Sequence, residues 1–259
     1  MTEFTDDQLD RYARHIVLRD VGGLGQKKII NAHILIVGAG GIGCPAIQYL
    51  AAAGIGALTI VDNDIISLSN LQRQVLFSTG DIGKPKVEIA KIAAQKINPD
   101  VLINVVNERL TAQHFFDDAA AFFGQFDAII DGSDNYQTRL LVSDLSIAHH
   151  VPLVSAAIGQ FQGQLGVFRG WEKDKPCYRC FVGDALDPDD CDNCSDVGVL
   201  GAMVGLMGSF AAMEAIRVVT GFGKDPVGKL QLFDGLSPAM RSINLPKDPE
   251  CKSCRPMMA

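Results

Sequence analysis

The residues Gly38-Ala39-Gly40-Gly41-Ile42-Gly43 form a G-x-G-x-x-G run, with glycine where a backbone must turn tightly and approach a phosphate closely. An apolar run, His33 to Val37, precedes it, and a helical pattern, Ile42 to Ala53, follows. A strand–turn–helix unit of this kind presents free N–H groups and the positive end of a helix dipole to an anion. Asp62 closes the next apolar run, near the spacing of a carboxylate that holds a ribose hydroxyl. These residues alone fit NAD, FAD and ATP equally. A dinucleotide-dependent oxidoreductase is one reading, and a tight turn with no ligand is the bland one.

Further along come Asn70-Leu71-Gln72-Arg73-Gln74, then Gly83-Lys84-Pro85-Lys86, then Asp131-Gly132-Ser133-Asp134-Asn135. A hydride-transfer site needs none of them, whereas nucleotidyl transfer uses them all. Cations such as Arg73 and Lys86 neutralise charge building on an attacked phosphorus and on departing pyrophosphate. Asp134, at the end of an apolar run, offers the hard oxygen that Mg²⁺ prefers. Taken singly, Arg73 reads as a solvated loop charge, Lys86 as the first turn of an exposed helix and Asp134-Asn135 as an N-cap. Their order behind a Rossmann-type start favours the chemical reading. A scaffold that has lost its chemistry would not need the set intact.

Seven cysteines include three C-x-x-C pairs: Cys177/Cys180, Cys191/Cys194 and Cys251/Cys254. Two such pairs can make a closed tetrahedral Zn²⁺ site. Pairing neighbours in sequence closes a shorter loop, but the entropy difference of roughly 2 kcal/mol is small beside zinc binding, so spacing does not choose. Cys44, in the first turn after the glycine run, reads as a small buried packing residue.

The elements that must position these groups alternate. Strands are expected at 33–37, 57–61, 101–106 and 126–130, with helices at 42–53, 85–97 and 135–149, which implies a mostly parallel, Rossmann-like sheet. Strands at 151–157, 163–169 and 229–233 have shorter links, so the sheet turns mixed in the C-terminal part. Before the sheet come a helix from Asp6 to Leu18 capped by Thr5, a glycine break at 22–25 and a short helix at 26–31. Residues 170–196 read as a long ordered excursion without helix or strand. With no repeat or linker, residues 1–259 read as one domain, with a nucleotide-binding part at about 30–150 and a carrier-binding and zinc part at about 151–259.

A net charge of −7 weighs against general nucleic-acid binding. The polar N-terminus has no signal-peptide core, and the uncharged stretch from Val197 to Met213 is short for a bilayer and reads as a buried helix. A cytoplasmic protein without a membrane partner is expected, its cysteines serving metal or thiol chemistry rather than disulfides.

The segments Arg11 to Arg14, Gly38 to Gly43, Asp62, Asn70 to Gln74, Lys86, Asp131 to Asn135, Pro176-Cys177-Tyr178-Arg179-Cys180, Gly198 to Glu214, Cys251 and Cys254 together resemble the MoeB/ThiF group of ubiquitin-activating-type adenylyltransferases of molybdopterin, thiamin and related sulfur-transfer pathways. The resemblance implies ATP-dependent adenylation of the C-terminal carboxylate of a ubiquitin-like sulfur carrier ending in Gly-Gly. It implies that Gly38, Gly40, Gly41 and Gly43 cradle the nucleotide and that Asp62 binds the ribose. Arg73 and Lys86 would contact phosphates, Asn70 and Gln74 would line the pocket, and Asp134 would position Mg²⁺. Arg14 would reach the site of a neighbouring subunit, giving a homodimer. The structural Zn²⁺ would sit on Cys177, Cys180, Cys251 and Cys254, remote from the chemistry. Cys194 falls where thiamin-pathway members carry a cysteine that bonds the carrier, so a sulfur-transfer role is a hypothesis that Cys194→Ala tests. Activation of another carboxylate or a tRNA base is the rival within the family. Cys191 departs from the pattern.

Overall fold

A computed structural model describes residues 4–111, 122–183 and 198–255. One eight-stranded sheet runs through it in the order β3-β2-β1-β4-β5-β6-β7-β8. The strands are β1 (His33–Val37), β2 (Ala57–Val61), β3 (Leu102–Val106), β4 (Ala128–Asp131), β5 (Leu153–Gly159), β6 (Gln162–Phe168), β7 (Lys229–Asp234) and β8 (Ala239–Asn244). The first five are parallel, and β5 through β8 pair antiparallel.

The apolar runs of β1 and β4 bury both faces of the sheet, as parallel strands under crossover helices must. Ile34, Ile36, Ala128 and Ile130 face one core. Its other side comes chiefly from α4 (Gly43–Ala53), α5 (Lys86–Ile97) and α8 (Gly201–Thr220). Leu35, Val37 and Ile129 face the opposite core with Leu140, Val142 and Leu145 of α6 (Tyr136–His149).

Helix α8 is, by length and composition only, long and apolar enough to cross a membrane. Val204, Met207, Ala211, Ala212 and Ala215 are instead buried in the first core. A side chain at Gly208 would strike the Ile42 carbonyl and Pro45, so this glycine lets α8 lie close on α4. The only buried acid of the helix, Glu214, is paired with Arg217 at 2.9 Å.

Four details differ from the sequence expectations. The N-terminal helix breaks at Tyr12 into α1 (Asp6–Arg11) and α2 (Ala13–Ile16), because Tyr12 turns inward, 2% exposed, and takes a 2.9 Å hydrogen bond from Asn98. Gly22 to Gly25 do not break the chain but open α3 (Gly22–Asn31). At Gly25 a Cβ would stand 2.9 Å from Val21 Cγ1 and 3.8 Å from Thr220 of α8, so close packing outweighs glycine's low helix propensity. The excursion contains a short helix, α7 (Tyr178–Val182). Finally, β8 is an added edge strand whose residues are mostly exposed, which hid it from a search for apolar runs.

Candidate active site and four-cysteine centre

Strands β2 and β3 extend the sheet on one side of β1 and β4 extends it on the other. The carboxyl ends of β1 and β4 therefore form a switch point, where open α/β sheets bind ligands. The glycine loop leaves β1 there and the Asp131–Asn135 loop leaves β4, joined by the Gly132 N–H donating to the Val37 carbonyl at 3.0 Å. Gly38 has φ +95°, and an added Cβ would lie 3.1 Å from the Gly132 carbonyl oxygen. Gly43 opens α4, and a side chain there would collide with the Gly38 carbonyl. Gly41 lies under Val204 of α8, and Gly40 faces Gln74 across 3.7 Å from its ideal Cβ to Nε2.

The segment after β2 supplies the charges. Asp62 Oδ2 accepts from the Ala39 N–H at 2.7 Å, and Oδ1 accepts from the Asp64 N–H at 2.8 Å. Burial pushes the Asp62 carboxyl above the usual aspartate range, and Lys86 opposes that rise. Lys86 Nζ meets Asp64 Oδ2 at 2.6 Å, with 6% of the lysine side chain exposed against 59% of the aspartate's. The ammonium is therefore the buried partner and the carboxylate the displaceable one. Asn70 caps its own turn by accepting from Ser67 N–H, and its carbonyl accepts from the backbones of Arg73 and Gln74. The guanidinium of Arg73 donates to the Ser69 carbonyl at 3.0 Å. Gln74 is 3% exposed, yet its Oε1 is buried without a hydrogen-bond donor among the described residues.

On the β4 side Asp131 is fully buried, its Oδ1 accepting from the N–H and hydroxyl of Ser133 at 3.0 and 2.7 Å. Asp134 is exposed and has no partner among the described residues. Asn135 Oδ1 accepts from Thr138 N–H, so the N-cap of α6 is Asn135 rather than Asp134. The cap reading and the chemical reading thus fall on adjacent residues.

Arg14 is exposed on α2, and no hydrogen bond or ion pair joins it to this group among the described residues. Helix α2 is anchored through His15 to Gln26, which donates to the Ala53 carbonyl at the last turn of α4. The glycine loop is at the first turn, about 15 Å away for a helix of that length.

Among the described residues, Cys177, Cys180, Cys251 and Cys254 place their four Sγ atoms within 4.8 Å of one another. Adjacent sulfurs lie 3.5 to 3.7 Å apart. A tetrahedral Zn²⁺ with Zn–S about 2.3 Å sets neighbouring sulfurs about 3.8 Å apart, so the cluster fits that ion. The hydrogen bond with Cys180, and then burial, push the Cys177 thiol far up, and burial pushes Cys254 to about 12. Four thiolates can share this space only around a cation. Asp144 of α6 binds both pairs, accepting from Arg179 at 3.1 and 2.8 Å and from Ser253 at 2.8 Å. Cys191 and Cys194 lie outside the described residues, and Cys44 is buried in the first core, as expected.

Sequence reading missed Asp64 and Arg139. Asp64, two residues after Asp62, left a weak acidic signal. Arg139 left none, because its partners lie on separate elements.

A family model described as "ThiF family" matches residues 12–253. The molybdopterin-synthase adenylyltransferase of Escherichia coli is 41% identical over 98% of this chain and 99% of its own length. The sulfur carrier protein ThiS adenylyltransferase of the same bacterium is 40% identical over 96% of each. Among solved structures, E. coli MccB with MccA-N7isoASN superposes with a TM-score of 0.80 at 23% identity, covering 95% of this chain and 74% of that one, which shows a shared fold. With its family match running almost from end to end, the chain belongs to the ThiF family.

Proposed function

We infer that this protein is an adenylyltransferase that uses ATP to activate the C-terminal glycine carboxylate of a ubiquitin-like sulfur carrier, giving an acyl-adenylate and pyrophosphate. The observation that carries this is the buried Lys86 ammonium beside a glycine loop whose neighbour across the switch point, the β4–α6 loop, ends in the unengaged Asp134. The names of the curated relatives support the substrate class.

The nucleotide would lie on Gly38, Gly40, Gly41 and Gly43, its ribose hydroxyls on the Asp62 carboxylate. Phosphate would displace the exposed Asp64 carboxylate from Lys86 and take a second cation from Arg73. Asn70 shapes the turn that carries Arg73, and Gln74 Oε1, buried beside the glycine loop, could accept from a bound nucleotide. The incoming carboxylate is already ionised, so no protein base is needed. Its oxygen attacks the α-phosphorus, and the bond to pyrophosphate breaks. Lys86 and Arg73 act as charge shifts to the leaving group, which is where electrostatic stabilisation accelerates a reaction. Asp134 would hold Mg²⁺, which supplies further charge neutralisation at the phosphates.

Arg14 is exposed on α2, which is tied to the end of α4 away from the glycine loop, so it would complete the site of a second copy in a homodimer. Zn²⁺ on Cys177, Cys180, Cys251 and Cys254 would be structural, and Cys194 remains the candidate for a later sulfur-transfer step. Residues 1–259 would act as one unit, the carrier meeting the part after residue 150. The burial of α8 supports a cytoplasmic protein without a membrane partner, and the negative charge supports one without nucleic acid. A dinucleotide oxidoreductase would leave Lys86 and Asp134 without a task.

The test is ATP–pyrophosphate exchange with each small Gly-Gly-ended carrier of the source organism. Exchange that needs the intact Gly-Gly end establishes the activity and separates the molybdopterin from the thiamin partner. ATP binding without exchange would point to another carboxylate or a tRNA base. Tight NAD binding without ATP binding would overturn the reading.

A further inference from the structure

Strands β4 and β5 part company beside the site. Their ladder ends at the pair Asp131 and Ser155, after which β4 gives way to the loop that carries Asp134, while β5 runs on to Gly159 beside β6. Asp131 is fully buried at this fork, and a buried carboxylate needs a cation or a full set of donors. The N–H and hydroxyl of Ser133 serve its Oδ1. Its Oδ2 accepts from Ser155 Oγ at 3.4 Å and stands 3.6 Å from Nη1 of Arg139.

Arg139 lies on the first turn of α6 with 11% of its side chain exposed. Its guanidinium donates to both sides of the parting. One side is the Ser133 carbonyl on the departing loop. The other is β5, where the Ala156 carbonyl accepts at 3.1 Å and Ser155 Oγ at 3.3 Å. Asp134 thus stands between two fixed residues. Ser133 before it has its N–H held by Asp131 and its carbonyl by Arg139, and Asn135 after it caps α6 through Thr138 N–H. Asp134 makes no bond of its own among the described residues, so these neighbours set its place.

We propose that Arg139 is a positioning residue for nucleotidyl transfer, its guanidinium bridging the loop after β4 to β5 and so fixing where the Asp134 carboxylate stands. Arg139 therefore does more than neutralise Asp131. A lysine would supply that charge, but a point cation cannot replace a rigid fork that serves Ser133, Ala156 and Ser155 at once. The task of Asp134 rests on the adenylation reading, whereas the frame around it does not.

Arg139→Lys separates charge from fork. Loss of about one hydrogen bond from a charged donor predicts roughly a tenfold rise in the Mg²⁺ concentration that half-saturates ATP–pyrophosphate exchange. Amide hydrogen exchange over residues 132–135 should quicken by a similar factor. At a fixed, subsaturating Mg²⁺ concentration, the same substitution in an Asp134→Ala background should slow exchange by no more than about twofold, because a residue that acts through Asp134 then has nothing left to position. Wild-type amide exchange overturns the frame. Faster amide exchange with an unchanged Mg²⁺ requirement, or a full tenfold further loss in the Asp134→Ala background, overturns the positioning role. If Arg139→Lys does not fold, Ser155→Ala, which removes one acceptor of the fork, is read by the same measurements. The amide-exchange arm needs no substrate, so it decides the frame even if the wild-type protein adenylates no carrier.

Discussion

The two polar regions of this molecule are built on opposite terms. At the carboxyl ends of β1, β2 and β4, charged and polar groups are held in place but left unfinished. Among the described residues Asp134 is exposed without a partner and Gln74 Oε1 is buried without a donor, and Lys86 is capped by an aspartate that is itself in solvent. At the cysteine centre the groups are finished. Four sulfurs converge within 4.8 Å of one another, a set that a single cation closes, and Asp144 pairs with Arg179 and Ser253, the residues inside the two cysteine pairs. Unmet hydrogen-bonding capacity in a folded protein costs stability and marks where a ligand completes the set. Saturated capacity marks a centre that holds shape. The same chain thus separates a site that turns over from one that does not, and α6 joins them.

Cys254→Ser breaks the closed region and should have the largest effect. Three thiolates and a hydroxyl hold zinc far more weakly, which leaves the segment after β8 to a few hydrogen bonds, from Lys247 to the Gly170 and Glu172 carbonyls and from Ser253 to Asp144. Zinc content should drop, and the melting temperature should fall by about 10 °C, a loss of roughly 4 kcal/mol. A zinc-free variant with wild-type melting would show that the centre is not structural.

Asp134→Ala breaks the open region and should do the reverse. Exchange should fall on the order of a thousandfold, as when a group acting on the transition state is removed, with melting unchanged. If the rate persists, Asp134 has no part in the chemistry. Asp144→Asn is the milder probe of the closed region. It leaves the shape but weakens a partly exposed ion pair, so about 1 kcal/mol and a melting shift of about 3 °C are expected, with zinc retained.

This contrast also governs what the sequence could show. The parallel strands and α4 were legible because both sheet faces are buried, making His33–Val37 and Ala57–Val61 continuous apolar runs. The glycine loop, Asp62, Lys86 and Asp134 were legible as types at spacings. Distant relations were not: Tyr12 leaves its helix for Asn98, Gly25 packs toward Thr220, and Arg139 of α6 gathers Ser133 from the β4–α6 loop with Ser155 and Ala156 from β5. Spacing left the cysteine pairing open, and the fold brings together the two pairs that lie 71 residues apart from Cys180 to Cys251.

The smallest effect, in pH, separates holding from binding at one residue. Burial raises the Asp62 carboxyl above the ordinary aspartate range. A carboxyl raised by folding favours the folded chain when protonated, so its contribution to stability is present below the unfolded pKa and is lost as pH rises through the folded one. Nucleotide binding runs the other way, because a ribose hydroxyl needs the ionised acceptor. ATP affinity, followed by calorimetry from neutral to mildly acidic pH, should therefore begin to fall at a higher pH than an exposed aspartate would dictate. Asp62→Asn should bind more weakly throughout and lose that dependence. If the variant keeps the wild-type pH profile, the acid-side loss belongs to another group, and Asp62 serves the glycine loop through Ala39 rather than the ribose.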